Sequence, residues 1–166
     1  VLERKEQLGI RILNISVGAC SKRGMSENSA LVKGVNRAWD AGLVVVVAAG
    51  NNGPRTMSIT TPGISRKVIT VGCSDDDREV LVGGNRMVDY SGRGPTAACI
   101  CKPDLVAPGC SVVSCSSRAD KYTIKSGTSM STPIVSGAVA LLLERFPDMS
   151  NKDVKLRLRE SSVDIG

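Results

Sequence analysis

The chain has 166 residues, 42% hydrophobic and 23% charged, which suits one globular domain with a substantial core, and no apolar run reaches the roughly 18 to 20 residues of a membrane span. Its net charge of +6 is scattered along the chain and only 2% of residues are aromatic, a composition that argues against nucleic-acid binding, which favours clustered basic residues and stacking rings. With no histidine and no C-x-x-C pair, the usual zinc patterns are absent, and this chain supplies no imidazole base.

The start, "VLERKEQLGI", shows neither an initiator Met nor the basic head and apolar centre of a signal peptide, so an interior starting point is expected. "RILNISV" (11–17) reads as a strand bounded by Gly9 and Gly18. Leu31, Val35, Ala38 and Trp39 then fall on one helical face, with Gly42 near the end. "LVVVVAA" (43–49) and "KVITVG" (67–72) are apolar without alternation, as strands covered on both faces are. Strand, helix and buried strand in that order predict a right-handed crossover and a parallel sheet flanked by helices.

The middle of the chain, "SDDDREVLVGGNRMVDYSGRGP", is polar, with Gly83-Gly84-Asn85 as a hairpin turn. Asp75-Asp76-Asp77 lacks the Gly and distant Glu of a calcium loop and reads as a solvated turn. None of the glycine-containing turns has phosphate-binding spacing. "DLVAPG", "SVVSCSS" and "YTIKSG" follow as short β segments. A helix from Ile134 to Phe146, apolar on nearly all sides, is expected in the core. A second begins near Asn151, with Ser150 and Asp153 as its capping box. Of six cysteines, Cys99 and Cys101 would face the same way on a strand, Cys110 and Cys115 flank "SVVS", and Cys20 and Cys73 stand alone. The expected state is reduced, buried or half-buried thiols, which favours a cytoplasmic over a secreted setting.

Three segments carry chemistry. In "GTSMSTP" (127–133), Gly127 permits a sharp turn and Pro133 is expected in a helix's first turn. Ser129 then sits where free N–H groups and the positive dipole end favour negative charge. On this pattern alone the plain reading is that Ser129 and Ser131 cap the helix. In "VVVVAAGNNGP", Asn51 follows the carboxyl end of a buried strand, from which its amide can aim at a carbonyl oxygen that gains charge, while Asn52-Gly53 turns the chain. In "LNISVG", Ser16-Val17-Gly18 is a flat strand end able to pair with an extended peptide.

Together, and in this order, the segments resemble the subtilisin-like serine proteases (subtilases, peptidase S8), with "YSGRGP" and "KPDLVAPG" matching further blocks between the last two. The resemblance implies a three-layer α/β fold with a mainly parallel sheet flanked by helices. It implies Ser129 as nucleophile and Asn51 as the side-chain oxyanion donor. Ser16, Val17 and Gly18 would line one side of the peptide cleft, and Ala48, Ala49 and Gly50 the primary specificity pocket, whose small walls would admit a bulky side chain. "GIRILNISVG", "PGISRKVITVG" and "GTSMSTPI" are similar to the intracellular AprX-like branch. Ser131 and Ile134 stand where the family commonly has Ala and His, and only local repacking is expected from them.

The family's catalytic Asp and His precede the substrate-binding strand. The resemblance therefore implies that this chain is the C-terminal portion of a single peptidase domain, inactive alone, with the N-terminal part and a peptide or protein substrate as its partners. A sheet cut in this way would expose an edge through which copies of the chain could dimerise. Peptide hydrolysis by this route needs no cofactor. Structural calcium is common in the family, but no acidic constellation here assigns it a site, and no metal ligand is expected. Two other classes stay open: a peptide-binding pseudoprotease, and a processed subunit completed by a separate N-terminal piece.

Overall fold

The computed structural model describes residues 1–20, 27–117 and 121–165. In chain order the elements are β1 (Ile12–Ile15), α1 (Ala30–Asp40), β2 (Val44–Ala48), β3 (Ile69–Cys73), β4 (Val80–Val82), β5 (Asn85–Met87), β6 (Leu105–Ala107), β7 (Val112–Cys115), β8 (Tyr122–Lys125), α2 (Thr128–Arg145) and α3 (Asn151–Ser161). Four of the strands form one parallel sheet in the order β1-β2-β3-β6, with Ile12 opposite Val44, Val46 opposite Ile69 and Val71 opposite Leu105. Every residue of β2 and β3 is buried, as their uninterrupted apolar runs require of strands sandwiched between helices.

Helix α1 starts at Ser29, whose hydroxyl accepts from the Val32 N–H, and gives way to Gly42, whose φ of 86° few side chains tolerate. Its buried stripe is Val32, Val35, Ala38 and Trp39; Leu31, expected on that face, is 49% exposed. The phase is displaced by one residue because Val32 packs into a separate cluster with Ala49, Ile59 and Ile64. Helix α2 crosses the sheet and buries Val135, Val139 and Leu143 against it. It is not enclosed on nearly all sides, as its composition suggested. Ile134 and Leu141 are 43% and 69% exposed, because no described element covers that face. Pro133 lies well inside α2, beyond the first turn expected for it. Its missing N–H deprives the Ser129 carbonyl of an i+4 donor. Among the described residues no helix is long and apolar enough to cross a membrane.

Ser150 and Asp153 form the predicted capping box of α3. The first residue of that helix, Asn151, donates from Nδ2 to the carbonyls of Trp39 and Leu43 at 2.7 and 3.0 Å, tying α3 to the α1–β2 turn. Hairpin β4–β5 turns on Gly83 and Gly84 alone, both at positive φ, and Asn85 already pairs with Val82. Hairpin β7–β8 precedes α2. All six cysteines are free, but Cys20, Cys99, Cys101 and Cys115 are exposed, so the expected burial holds for Cys73 and Cys110 only. Cys99 sits in a turn with φ 54°, its N–H bonded to Thr96 O, and not on a strand.

Candidate active site

Strands β1 and β2 are parallel neighbours, so the segments that leave their carboxyl ends emerge side by side. Ser16-Val17-Gly18 leaves β1 and Ala49-Gly50-Asn51 leaves β2, and the N-terminus of α2 meets both. In open α/β sheets this edge is where ligands collect. The Ser129 hydroxyl donates to Ser16 O at 2.9 Å. Asn51 Oδ1 accepts from the Thr128 N–H at 2.9 Å and from the Thr128 hydroxyl at 3.0 Å. Thr128 Oγ1 in turn accepts from the Gly50 N–H at 3.2 Å. Positions 16, 51 and 129, more than a hundred residues apart at the extremes, are thus drawn to one place.

The helix begins abruptly. Gly127 is the N-cap, with φ 136° and no side-chain cap, so neither Ser129 nor Ser131 plays the capping role that the local pattern suggested. A Cβ at Gly127 would lie 3.3 Å from Asn51 Nδ2. The Thr128 N–H is taken by Asn51 and the Met130 N–H by Gly127 O at 2.8 Å. Between them the Ser129 N–H has no partner among the described residues and is one of the donors a helix start leaves free. With Oδ1 occupied, the Asn51 amide presents Nδ2 on its remaining side. A free main-chain N–H and a carboxamide donor thus accompany one partly exposed serine hydroxyl.

Thr128, which sequence reasoning did not single out, is the residue that orients Asn51. Its only signal was a hydroxyl beside Ser129. Thr60 is the second omission, and it revises the pocket. A Cβ on Gly18 would come 2.1 Å from Thr60 Oγ1, and one on Gly50 would come 2.4 Å from Thr60 Cγ2. The buried Thr60 side chain therefore stands between the β1 and β2 exits, held by its own N–H and hydroxyl on Ala49 O at 2.8 and 3.2 Å. Thr61 pairs with Ala19 through two backbone hydrogen bonds, 2.8 and 3.1 Å, which fixes this plug. Ala48 and Ala49 are fully buried beneath it. The space between Gly18 and Gly50 is thus occupied by the Thr60 side chain.

Of the acidic triplet, only Asp77 is exposed as a solvated turn would have it. Asp76 is buried and accepts the Ser91 N–H at 2.7 Å. Asp75 Oδ1 accepts from the N–H groups of Gly109 and Cys110 at 2.7 and 3.1 Å and from the Cys73 thiol at 3.1 Å. Burial works to raise the Asp75 carboxyl, but those donors more than offset it and hold it below the usual carboxylate range. Burial pushes the Cys73 thiol up to about 12 and raises the Tyr90 phenol as well.

The chain matches the Subtilase family (Peptidase_S8) over residues 2–165. It is 40% identical to Serine protease AprX of Bacillus subtilis (strain 168), covering 92% of this chain and 38% of that protein. It is 34% identical to Subtilisin DY of Bacillus licheniformis, covering 99% and 54%. Among solved structures, Sphericase superposes with a TM-score of 0.76 at 31% identity, over 97% of this chain and 52% of that one. The chain thus spans about half or less of the length of these relatives. The order of the blocks, the sheet with its flanking helices and the AprX-like segments all agree with these matches, and the chain belongs to the subtilase family.

Proposed function

We propose that the protein carrying this chain is a serine endopeptidase, with residues 1–166 as the C-terminal portion of its catalytic domain. The observation that carries this reading is the joining of Ser129, Asn51 and Ser16 at the carboxyl ends of β1 and β2. Ser129 Oγ attacks a peptide carbonyl carbon and its proton passes to a base that this chain does not contain. The carbonyl oxygen, now negative, accepts from Asn51 Nδ2 and from the Ser129 N–H. As the base returns that proton to the leaving nitrogen, collapse expels the amine and leaves an ester on Ser129, which water hydrolyses. The segment 16–18 pairs with the substrate backbone, and Ala48, Ala49 and Gly50, closed below by Thr60, bound a shallow pocket suited to small side chains. The base must draw the Ser129 proton away from Ser16 O.

The exposed Ile134 and Leu141 on α2 and the edge position of β1 suit packing by an N-terminal part of the same domain. Six free cysteines suit a reducing, cytoplasmic setting. In the test, the intact protein hydrolyses a protein substrate and takes up one fluorophosphonate on Ser129, Ser129→Ala loses both, and residues 1–166 alone show neither. Peptide binding by the intact protein without any labelling would replace this reading with a pseudoprotease. Labelling that appears only when two separate pieces are mixed would replace it with a two-piece enzyme. Light scattering of residues 1–166 distinguishes a monomer from a dimer joined through β1.

A further inference from the structure

The Gly127 N–H at the start of α2 donates to Gly109 O at 2.9 Å, and beside Gly109 lies a cluster that the proposed chemistry leaves unused. We propose that Cys73, Cys110 and Asp75 form a binding site for a thiophilic divalent cation of the zinc class. Cys73 ends β3, Asp75 follows two residues later, and Cys110 lies on the segment leaving β6. Since Cys73 pairs with Ala107 in parallel register, the three residues leave adjacent strands at the same end. Both sulfurs and an Asp75 carboxylate oxygen lie within 4.8 Å of one another. A tetrahedral site with metal–sulfur bonds of about 2.3 Å and metal–oxygen bonds of about 2.1 Å sets its donor atoms about 3.5 to 3.8 Å apart.

The surroundings suit such a site. The Gly109 and Cys110 N–H groups already hold Asp75, the kind of outer support that fixes a metal ligand. The Tyr90 hydroxyl, whose proton goes to Gly109 O at 3.3 Å, also lies 3.2 Å from Cys73 Sγ and 3.1 Å from Cys110 Sγ, within reach of a thiolate if that proton turns. Two sulfurs beside one carboxylate select zinc-like ions over calcium or magnesium, which take oxygen ligands. The exchange balances: one divalent cation enters, two thiol protons leave to solvent, and no oxidant or reductant is needed. A Cβ at Gly109 would meet Cys73 Sγ at 2.8 Å and Ser131 Oγ at 2.3 Å, so this backbone runs directly between the cluster and α2. An ion held there clamps the 109–110 peptide against the end of β3, and with it the carbonyl that receives Gly127.

The test uses the intact protein with Cys20, Cys99, Cys101 and Cys115, the exposed thiols, changed to Ser. It is titrated with Co²⁺ without oxygen and with a phosphine reductant, so that no disulfide forms. One equivalent is expected to develop thiolate-to-cobalt charge-transfer absorption and tetrahedral visible bands, which Zn²⁺ abolishes and Ca²⁺ leaves unchanged. Zn²⁺ is expected to raise Tm. Cys110→Ser, at a half-buried position, and Asp75→Asn should each weaken binding about tenfold or more, while far-ultraviolet circular dichroism stays unchanged. Absence of a charge-transfer band, or a band of equal affinity in Cys110→Ser, overturns the proposal. Cys110→Ser decides the matter even where the more buried Cys73→Ser fails to fold.

Discussion

Thr60→Gly puts the plugged pocket to a direct test. The change removes three heavy atoms from the space between Gly18 and Gly50, where a methyl on either glycine would now collide with Thr60. Each additional CH₂ of substrate admitted to that space gains about 0.8 kcal/mol, and one pocket of this size distinguishes side chains by about 1 to 3 kcal/mol. A phenylalanine before the scissile bond should therefore gain about ten- to a hundredfold in kcat/KM relative to alanine. The assay compares matched peptides ending in Ala, Leu and Phe on the intact wild-type and variant enzymes. Thr60→Ala, which retains a Cβ, should fall between the two. An unchanged Phe-to-Ala ratio in a folded, active Thr60→Gly enzyme would show that the pocket lies elsewhere.

Other consequences concern the site's support and the core. Asn51→Ala should lower kcat about 10²- to 10³-fold with little change in KM, a magnitude borrowed from the matching donor of subtilisin, a relative; Thr128→Val should cost about tenfold, seen in the same steady-state assay. Ser131 Oγ is the single buried side-chain polar atom without a partner among the described residues, so Ser131→Ala should stabilise by about 1 to 2 kcal/mol, read as a higher urea midpoint at constant slope. Lys102 is buried against Asp104, with Lys155 on the other carboxylate oxygen. Burial lowers its ammonium to about 8 from an ordinary 10.5. Between those values this group binds more protons in the unfolded chain than in the folded one, so its own contribution to stability should rise from pH 8 towards 10.5, by about 3 kcal/mol at most. Because the raised Cys73 and Tyr90 act the opposite way above pH 9, it is read as the pH dependence of the difference between wild type and Lys102→Met in denaturation curves.

The parts legible in the sequence are those set by short-range rules. Five successive β-branched or small apolar residues at 44–48 have few alternatives to a strand covered on both faces. Ser150 and Asp153 carry their hydrogen bonds three residues apart. Ser129, at the start of α2, and Asn51, just past the end of β2, are paired in the sequence only through the resemblance of their blocks to the subtilases. What escaped depends on distant contacts. Leu31 and Val32 are equally apolar, and only the cluster around Ile59 decides which is buried. Thr60 lies in a stretch with no periodicity, and its place comes from its own bond to Ala49 and from the pairing of its neighbour Thr61 with Ala19. Asp75 and Asp76 look solvent-seeking until the N–H groups of Gly109, Cys110 and Ser91 arrive from elsewhere in the chain.

The double grip of Thr128 on Asn51 also makes the carboxamide one-handed. Were the amide to rotate end for end, its N–H would face the Thr128 N–H, which would lose its acceptor, and on the proposed reading an oxygen would confront the incoming carbonyl. Its polarity is therefore decided at folding, long before a peptide approaches. On the proposed reading, no rearrangement of that dipole is left to accompany bond cleavage.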